Sequence, residues 1–245
     1  MSVLIIADVH ANLTALEAVF DDAGPTEEVW SLGDLVGYGP YPNEVIELLR
    51  ESAVRSLAGN HDMGCIEKVD LRHFNADARA ACEWTRGVLS DSARGYLAEL
   101  QATAVFGNVT VAHGSPRDPV WEYLANLRLA RANFEHFATQ TCLVGHTHVP
   151  LVFRWRLGLT GAGEVIPAIP TTDVEIVSGS DRVIINPGSV GQPRDGDPRA
   201  AYACYEPTSG VFSFHRVAYD INVTQEAMHR VGLPERLARR LQYGA

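Results

Sequence analysis

The chain has 245 residues, of which 46% are hydrophobic and 20% are charged, values typical of a globular protein. This composition excludes a disordered, collagen-like or coiled-coil protein. The 20 basic and 30 acidic side chains give a formal net charge of −10. We therefore do not expect a protein that binds along a nucleic acid by neutralising its phosphates.

The cysteines and the first residues indicate the compartment. The four cysteines show no C-x-x-C spacing, and a chain of this length does not need disulfides, so we expect reduced thiols. The apolar run at residues 3–7 stops at Asp8. It is too short for a signal sequence and far shorter than the ~20 residues of a membrane span. We expect a cytoplasmic protein that does not enter the membrane.

The first part of the chain alternates short apolar runs with amphipathic ones. Residues 3–7, 29–32 and 54–58 are predicted strands, while Asn12 and Pro42 suit the starts of two helices. Repeated alternation of strand and helix predicts a parallel sheet covered by helices. In such sheets, ligands bind outside the carboxyl ends of the strands.

The remainder of the chain is predicted to combine helices with short strands. The pattern predicts a helical pair at 75–100, a hairpin at 105–112, a helix at 126–138, short antiparallel strands after residue 141 and terminal helices at 224–241. No linker or solenoid repeat divides the chain, so we expect one domain over residues 1–245. For residues 157–182 a lid and a hairpin are both open alternatives.

Five segments place polar side chains where apolar strands end. They are Asp8-Val9-His10, Gly33-Asp34, Gly59-Asn60-His61-Asp62, His113-Gly114 and Gly145-His146-Thr147-His148. In an extended chain, residues two apart point to the same side, so Asp8 can converge with His10, and the same holds for the two histidines of the last segment. We expect the fold to deliver all five segments to one crevice.

The ligand types in these segments favour transition metals. Imidazole nitrogens with carboxylate and amide oxygens, and no sulfur, suit Mn²⁺, iron, Co²⁺, Ni²⁺ or Zn²⁺ better than calcium or a thiolate zinc site. Seven such ligands are too many for one ion, whereas two ions bridged by Asp34 and a water would use them all. We therefore expect two divalent metal ions, whose surplus positive charge attracts a phosphate.

The ordered set of motifs resembles the calcineurin-like metallophosphoesterase superfamily over residues 1–195, and the segment Gly-Tyr-Gly-Pro-Tyr-Pro-Asn is similar to that of its small bacterial phosphodiesterase branch. This resemblance implies an α/β fold, a four-layer sandwich of two packed mixed β-sheets flanked by helices. It also implies the metal ligands: Asp8, His10 and His148 for one metal, Asn60, His113 and His146 for the other, and Asp34 as the bridge.

The resemblance further implies a hydrolytic mechanism. A hydroxide that bridges the metals attacks phosphorus in line, and both metals stabilise the charge that develops. His61 acts as an acid near the leaving-group oxygen, a contribution on the order of 10²–10⁴ in rate. Asp62, the following residue, orients this histidine.

One difference from the protein Ser/Thr phosphatases of this superfamily narrows the class of enzyme that we expect. These phosphatases follow the second aspartate with Asp-Arg-Gly, whose arginine binds phosphate, whereas this chain has no arginine in residues 33–39. A protein phosphatase is therefore disfavoured, and substrate contacts must come from elsewhere. The candidates are Arg117, Arg194, Tyr38 and Tyr41, each of which could equally be a loop or packing residue.

These observations favour a phosphodiesterase that acts on a small phosphorylated or nucleotide-like substrate. A phosphomonoesterase, and a catalytically weak scaffold or regulatory binding protein on the same fold, are the alternatives. A haloacid-dehalogenase-type phosphatase with Asp8 as nucleophile is disfavoured, because His10 stands where that chemistry needs an acid and Lys68 is the only lysine. The sequence leaves the metal identity and the oligomeric state open.

Overall fold

The computed structural model describes residues 2–157, 163–168, 170, 175–177 and 181–245. The strands are β1 (Val3–Ile6), β2 (Glu28–Ser31), β3 (Arg55–Ser56), β4 (Thr103–Phe106), β5 (Val109–Ala112), β6 (Thr141–Val144), β7 (Leu151–Leu157), β8 (Gly163–Ala168), β9 (Glu175–Val177), β10 (Arg182–Asn186), β11 (Ala200–Glu206) and β12 (Val211–Val217). The helices are α1 (Leu13–Ala23), α2 (Pro42–Glu51), α3 (Asn60–Cys65), α4 (Ala76–Val88), α5 (Asp91–Glu99), α6 (Leu127–Asn133), α7 (Ile221–Arg230) and α8 (Glu235–Arg240).

The strands form two mixed sheets. The first has the order β3-β2-β1-β11-β12-β9, in which β1 pairs in parallel with β2 and antiparallel with β11. The second has the order β4-β5-β6-β10-β7-β8, in which β6 pairs in parallel with both β5 and β10. Helices flank the sheets, so the predicted α/β fold of two mixed sheets is confirmed. The prediction that strands after residue 141 are all antiparallel is wrong, because β6 returns to the sheet through the crossover helix α6.

Side chains of β1 are buried on both faces, which explains the continuous apolar run in this strand. Ile5 belongs to the hydrophobic cluster shared by the two sheets, together with Val111 of β5 and Ile185 of β10. Leu4, on the opposite face, packs in the cluster that contains Leu16 of helix α1. One strand therefore joins the core between the sheets to the core under the helices.

Local signals in the sequence account for the ends of several elements. The Asn12 side chain accepts a hydrogen bond from the backbone N–H of Ala15, and Pro42 lies in the first turn of α2, as predicted. The helix predicted for residues 126–138 stops at Asn133 because Arg182 donates a hydrogen bond to the carbonyl of Phe134. Strand β3 is shorter than residues 54–58, because the backbone N–H of Ala58 bonds to Gln101 instead of to the sheet.

The question of a lid or a hairpin at residues 157–182 falls partly on positions 158–162, 169, 171–174 and 178–180, which lie outside the described residues. In the described parts of this stretch, β8 pairs antiparallel with β7, and β9 pairs antiparallel with β12 in the other sheet.

Among the helices that the structure describes, none has the length and apolar character needed to cross a bilayer.

Candidate active site

Five loops meet beside the ends of the two sheets. Backbone hydrogen bonds join them: the N–H of Asp8 donates to the carbonyl of Gly33, that of His10 to Asp34, and that of Gly145 to His113. The donor–acceptor distances are 3.0, 2.9 and 2.8 Å. The backbone N–H of His146 also donates to both carboxylate oxygens of Asp8, 138 positions away, so distant segments lie in one crevice, as the sequence predicts.

The first group of ligand atoms belongs to Asp8, His10, Asp34 and His148, whose donor atoms all lie within 4.8 Å of one another. The Nε2 atoms of His10 and His148 are only 3.2 Å apart. Each ring donates through Nδ1 to a backbone carbonyl, that of Val36 for His10 and that of Gln192 for His148. A carbonyl only accepts, so both Nε2 atoms carry lone pairs. Two nitrogen lone pairs that face one region at this distance can both bind a single cation.

The second group contains Asp34, His113 and His146, again within 4.8 Å of one another. The ring of His113 donates through Nδ1 to the carbonyl of Leu32, which leaves its Nε2 lone pair facing the group. Nε2 lies 3.2 Å from Nδ1 of His146 and 3.2 Å from Oδ1 of Asn60. The amide oxygen of Asn60 therefore completes this second group.

Asp34 belongs to both groups. Its Oδ2 lies 3.5 Å from Nε2 of His10 and 3.5 Å from Nε2 of His113. Its Oδ1 accepts a hydrogen bond from the backbone N–H of His61. The described residues thus form two adjacent nitrogen and oxygen donor sets that share one carboxylate, an arrangement suited to two divalent metal ions.

Burial sets the charge state of these ligands. It holds the pKa of His10, His146 and His148 well below the usual range, so the rings are neutral and able to bind metal. Burial, together with the nearby carboxylate of Asp34, raises the pKa of Asp8 well above its ordinary value. Two buried carboxylates side by side repel each other, and divalent cations relieve that repulsion.

The backbone of the site is unusual. Five of the seven ligand residues have a positive φ, in the left-handed region that non-glycine residues rarely adopt: Asp8 (53°), His10 (48°), Asp34 (54°), His146 (66°) and His148 (60°). The sequence-based prediction assumed an extended backbone, in which residues two apart point to the same side. That physical basis is wrong, because the backbone at these residues is not extended. The two histidines of Gly145-His146-Thr147-His148 also fall in different groups, because the chain turns sharply between them.

His61 is the second residue of the short helix α3 and is buried next to the first group of ligands. Its ring centroid lies 4.8 Å from that of His10 and 4.3 Å from that of Tyr38. Although burial opposes a charged ring, Tyr38, Cys82 and Asp34 raise the pKa of His61 to about 10.

Asp62 is buried beside the backbone of this loop. Its carboxylate oxygens accept hydrogen bonds from the backbone N–H groups of Val36 and Gly59, at 3.0 and 2.8 Å. Burial, followed by the charge of Asp34, raises its pKa to about 7. The hydrogen-bond partner of the His61 ring is instead Cys82, whose Sγ lies 3.3 Å from Nδ1.

The candidate substrate residues have different surroundings. The guanidinium carbon of Arg194 lies 5.9 Å from the centroid of Tyr38, and Arg194 donates to the side-chain oxygen of Gln192. Arg117 is paired with the carboxylate of Glu122. Tyr41 caps α2, where its backbone N–H donates to Ala11. The structure therefore places Tyr38 and Arg194 together beside the ligand groups.

Sequence reasoning missed several side chains that line the site. The ring of Tyr123 stacks on that of His146 with centroids 3.9 Å apart, and Phe74 packs edge-on against His61 at 5.1 Å. Cys82 contacts His61 as described. None of the three lies in a recognisable motif, so no local signal could have identified them.

Comparisons with known proteins identify the family. Residues 1–210 match the model of the calcineurin-like phosphoesterase superfamily domain. The crystal structure of a metallophosphoesterase from Sphaerobacter thermophilus is 50% identical, covers 100% of this chain and 99% of that one, and has a TM-score of 0.89. The uncharacterized protein MJ0912 of Methanocaldococcus jannaschii is 33% identical over 256 residues, 99% of this chain and 98% of that protein.

A shorter match is to the symmetrical bis(5'-nucleosyl)-tetraphosphatase of Pectobacterium carotovorum, 38% identical over 68 residues, which cover 26% of this chain and 24% of that protein. Together with the paired ligand groups around Asp34, the family match shows that the chain belongs to the calcineurin-like phosphoesterase superfamily and is a phosphoric ester hydrolase.

Proposed function

We propose that the chain is a phosphodiesterase with two divalent metal ions, acting on small nucleotide-like phosphoesters. The observation that carries this proposal is the position of Asp34 Oδ2, at 3.5 Å from a ligand nitrogen of each group. One shared carboxylate between two donor sets is the arrangement of a dinuclear hydrolase.

The two donor sets define which residues would hold the metals. Asp8, His10 and His148 would hold one ion, Asn60, His113 and His146 the other, and Asp34 both. When bound, such ions lower the pKa of water to make a nucleophile near neutral pH and neutralise the charge on the phosphoryl oxygens.

His61 is the proposed acid. The alkoxide of a phosphodiester is a poor leaving group, so a proton from a neighbouring imidazole should accelerate its departure by a factor on the order of 10²–10⁴. The pKa of His61, raised to about 10, keeps the ring protonated near neutral pH. Asp62 would support this role through the backbone, since its carboxylate ties Gly59 to Val36.

Arg194 and Tyr38 are the proposed substrate contacts. After burial, the charge of Arg194 is the next cause that keeps the pKa of His148 low, and it partly offsets the rise in the pKa of Asp8, so a cation lies next to the expected phosphate. A cavity of about 500 Å³ opens beside Tyr38 and is also lined by Arg236 and Arg240. Asp77 also lines this cavity, but its size and its two arginines suit the second part of a nucleotide-like ester, in keeping with the activity named for the tetraphosphatase relative.

The experiment is hydrolysis of bis-p-nitrophenyl phosphate by the full chain with added Mn²⁺. We expect turnover that a chelator abolishes. On methyl phenyl phosphate, whose leaving group needs a proton more, His61→Ala should lower kcat on the order of 10²-fold or more. The exposed His136 provides a matched control, His136→Ala, which should behave as the unchanged protein.

The rates of hydrolysis of bis-p-nitrophenyl phosphate, a diester, and of p-nitrophenyl phosphate, a monoester, distinguish a diesterase from a monoesterase. Faster hydrolysis of the monoester would overturn the diesterase assignment. Metal-dependent binding without turnover of either ester, or of a dinucleoside tetraphosphate, would reject the proposed function.

A further inference from the structure

A thiol is hydrogen-bonded to the ring of His61. Sγ of Cys82 lies 3.3 Å from Nδ1 of His61, and both side chains are buried. We propose that Cys82 is a positioning residue that fixes the orientation of the His61 ring, so that Nε2 is the nitrogen that meets the leaving-group oxygen. This inference rests on the proposed function, because it deepens the role assigned there to His61.

Packing alone does not fix the orientation of this ring. Three aromatic rings surround His61, with centroids at 4.8 Å (His10), 4.3 Å (Tyr38) and 5.1 Å (Phe74). These contacts restrict where the imidazole lies. A rotation of the ring by 180° about its bond to Cβ preserves its shape almost unchanged, while it exchanges ring carbons and nitrogens. A hydrogen bond to one nitrogen distinguishes the two orientations.

The other polar groups near Nδ1 are engaged or absent. Both carboxylate oxygens of Asp62 accept hydrogen bonds from the backbone of the loop. Gly37 also lies against the ring, where a β-carbon would be only 2.6 Å from Nδ1. No side chain fits at that position. Within the part of the chain that the structure describes, the hydrogen-bond partner of Nδ1 is therefore the sulfur of Cys82.

The sulfur itself is held by rigid elements. Cys82 is a buried residue of α4, a helix whose first turn is capped by the side chain of Asn75. Cys65, the last residue of α3, is buried close to the same sulfur, and its thiol is the largest cause that lowers the pKa of Cys82. Because α3 also begins with the residues that contact Asp34, the pair of thiols ties the orientation of His61 to the metal ligands.

The test compares two phosphodiesters that differ in leaving group, methyl p-nitrophenyl phosphate and methyl phenyl phosphate, with the metal-loaded full chain. Phenolate leaves less readily than p-nitrophenolate, so its departure depends more on a well-placed acid. We expect Cys82→Ala to lower kcat for the phenyl ester about tenfold more than for the p-nitrophenyl ester, with KM and metal content unchanged.

Three further variants separate positioning from a structural effect. In Cys82→Ser a hydroxyl can bond to Nδ1, so activity on the phenyl ester should be partly restored. Cys82→Val fills the space of the thiol without a hydrogen-bonding group, and it should reproduce the alanine result even if the alanine variant does not fold. Cys142→Ala removes an equally buried thiol from a separate hydrophobic cluster and should leave the ratio of the two rates unchanged.

A double-mutant cycle completes the test. If Cys82 acts through His61, Cys82→Ala should cause no further loss in a His61→Ala background. Equal losses on the two esters, or additive losses in the cycle, would overturn the positioning role. If the unchanged protein hydrolyses neither ester with added metal, the proposed function fails, and that outcome is distinct from a failure at Cys82.

Discussion

A β-carbon added to Gly59 would lie 2.0 Å from Oδ1 of Asp34 and 2.5 Å from its backbone nitrogen. These contacts involve a buried carboxylate and a backbone atom that cannot move independently. The loop before α3 therefore presses against the shared ligand with no room for a side chain. Gly59 is required for this close approach and not for its φ, which is −98°.

We expect Gly59→Ala to displace the Asp34 carboxylate. Metal content should fall below two ions per chain, and phosphodiester hydrolysis should fall on the order of 10–100-fold, as when a group that supports a metal ligand is lost. Elemental analysis and steady-state kinetics measure the two effects. Gly87→Ala is the matched control, since a β-carbon there meets no atom within 4 Å. Full metal content in Gly59→Ala would contradict this expectation.

Asp34→Asn removes the shared negative charge. A neutral amide in this place has a single oxygen and attracts both ions less strongly, so we expect weaker binding of both ions and a loss of activity of roughly 10²-fold or more. Titration with Mn²⁺, followed by calorimetry, reports the affinity of each ion. The exposed carboxylate of Asp91 offers the control Asp91→Asn, which should titrate normally. Loss of only one ion would show that Asp34 does not bridge.

Gly37→Ala should act on His61 and not on the metals. Its β-carbon would lie 2.6 Å from Nδ1 of His61, and its φ of +84° disfavours any side chain. We expect at least a tenfold loss of kcat with full metal content, because the ring is pushed from its hydrogen bond. Gly95→Ala, at a helical glycine in open space, should keep activity and add about 0.5–1 kcal/mol of stability. Unchanged kcat in Gly37→Ala would argue against the acid role.

Arg194→Ala should weaken substrate binding. Its guanidinium lies over Tyr38 next to the ligand groups, whereas that of Arg117 is paired with Glu122. We expect KM to rise about tenfold in Arg194→Ala, the loss of one charge-assisted hydrogen bond to phosphate. A much smaller change is expected for Arg117→Ala. The reverse order in KM values would assign the phosphate contact to Arg117.

Phe212→Ala tests the core between the sheets. The Phe212 side chain is fully buried in the cluster that both sheets share. Its truncation should lower the free energy of unfolding by about 3–5 kcal/mol, through lost burial and the cavity left behind. Urea denaturation of the metal-free protein measures this change. Val105→Ala, at a side chain that is 56% exposed, should change stability by less than about 0.5 kcal/mol.

Much of the architecture follows from local patterns. The apolar run of β1 has no polar face, and such a strand must be covered on both sides. Asn12 and Pro42 mark helix starts because their side chains act within one turn of the chain. The end of α6 was not predictable, since it depends on Arg182, a residue 48 positions away from Phe134.

For the site as well, some features can be read from the sequence and others depend on the packed structure. By itself the sequence determined the chemical kind of each ligand, because the side chains are read directly and their order matches one superfamily. Only the tertiary structure decided that the ligand residues reach these groups through left-handed backbone turns, and that the sulfur of Cys82 contacts the ring of His61. These side chains are oriented by left-handed turns, by hydrogen bonds to backbone carbonyls and by contacts between distant helices. Such interactions form only once the chain has packed.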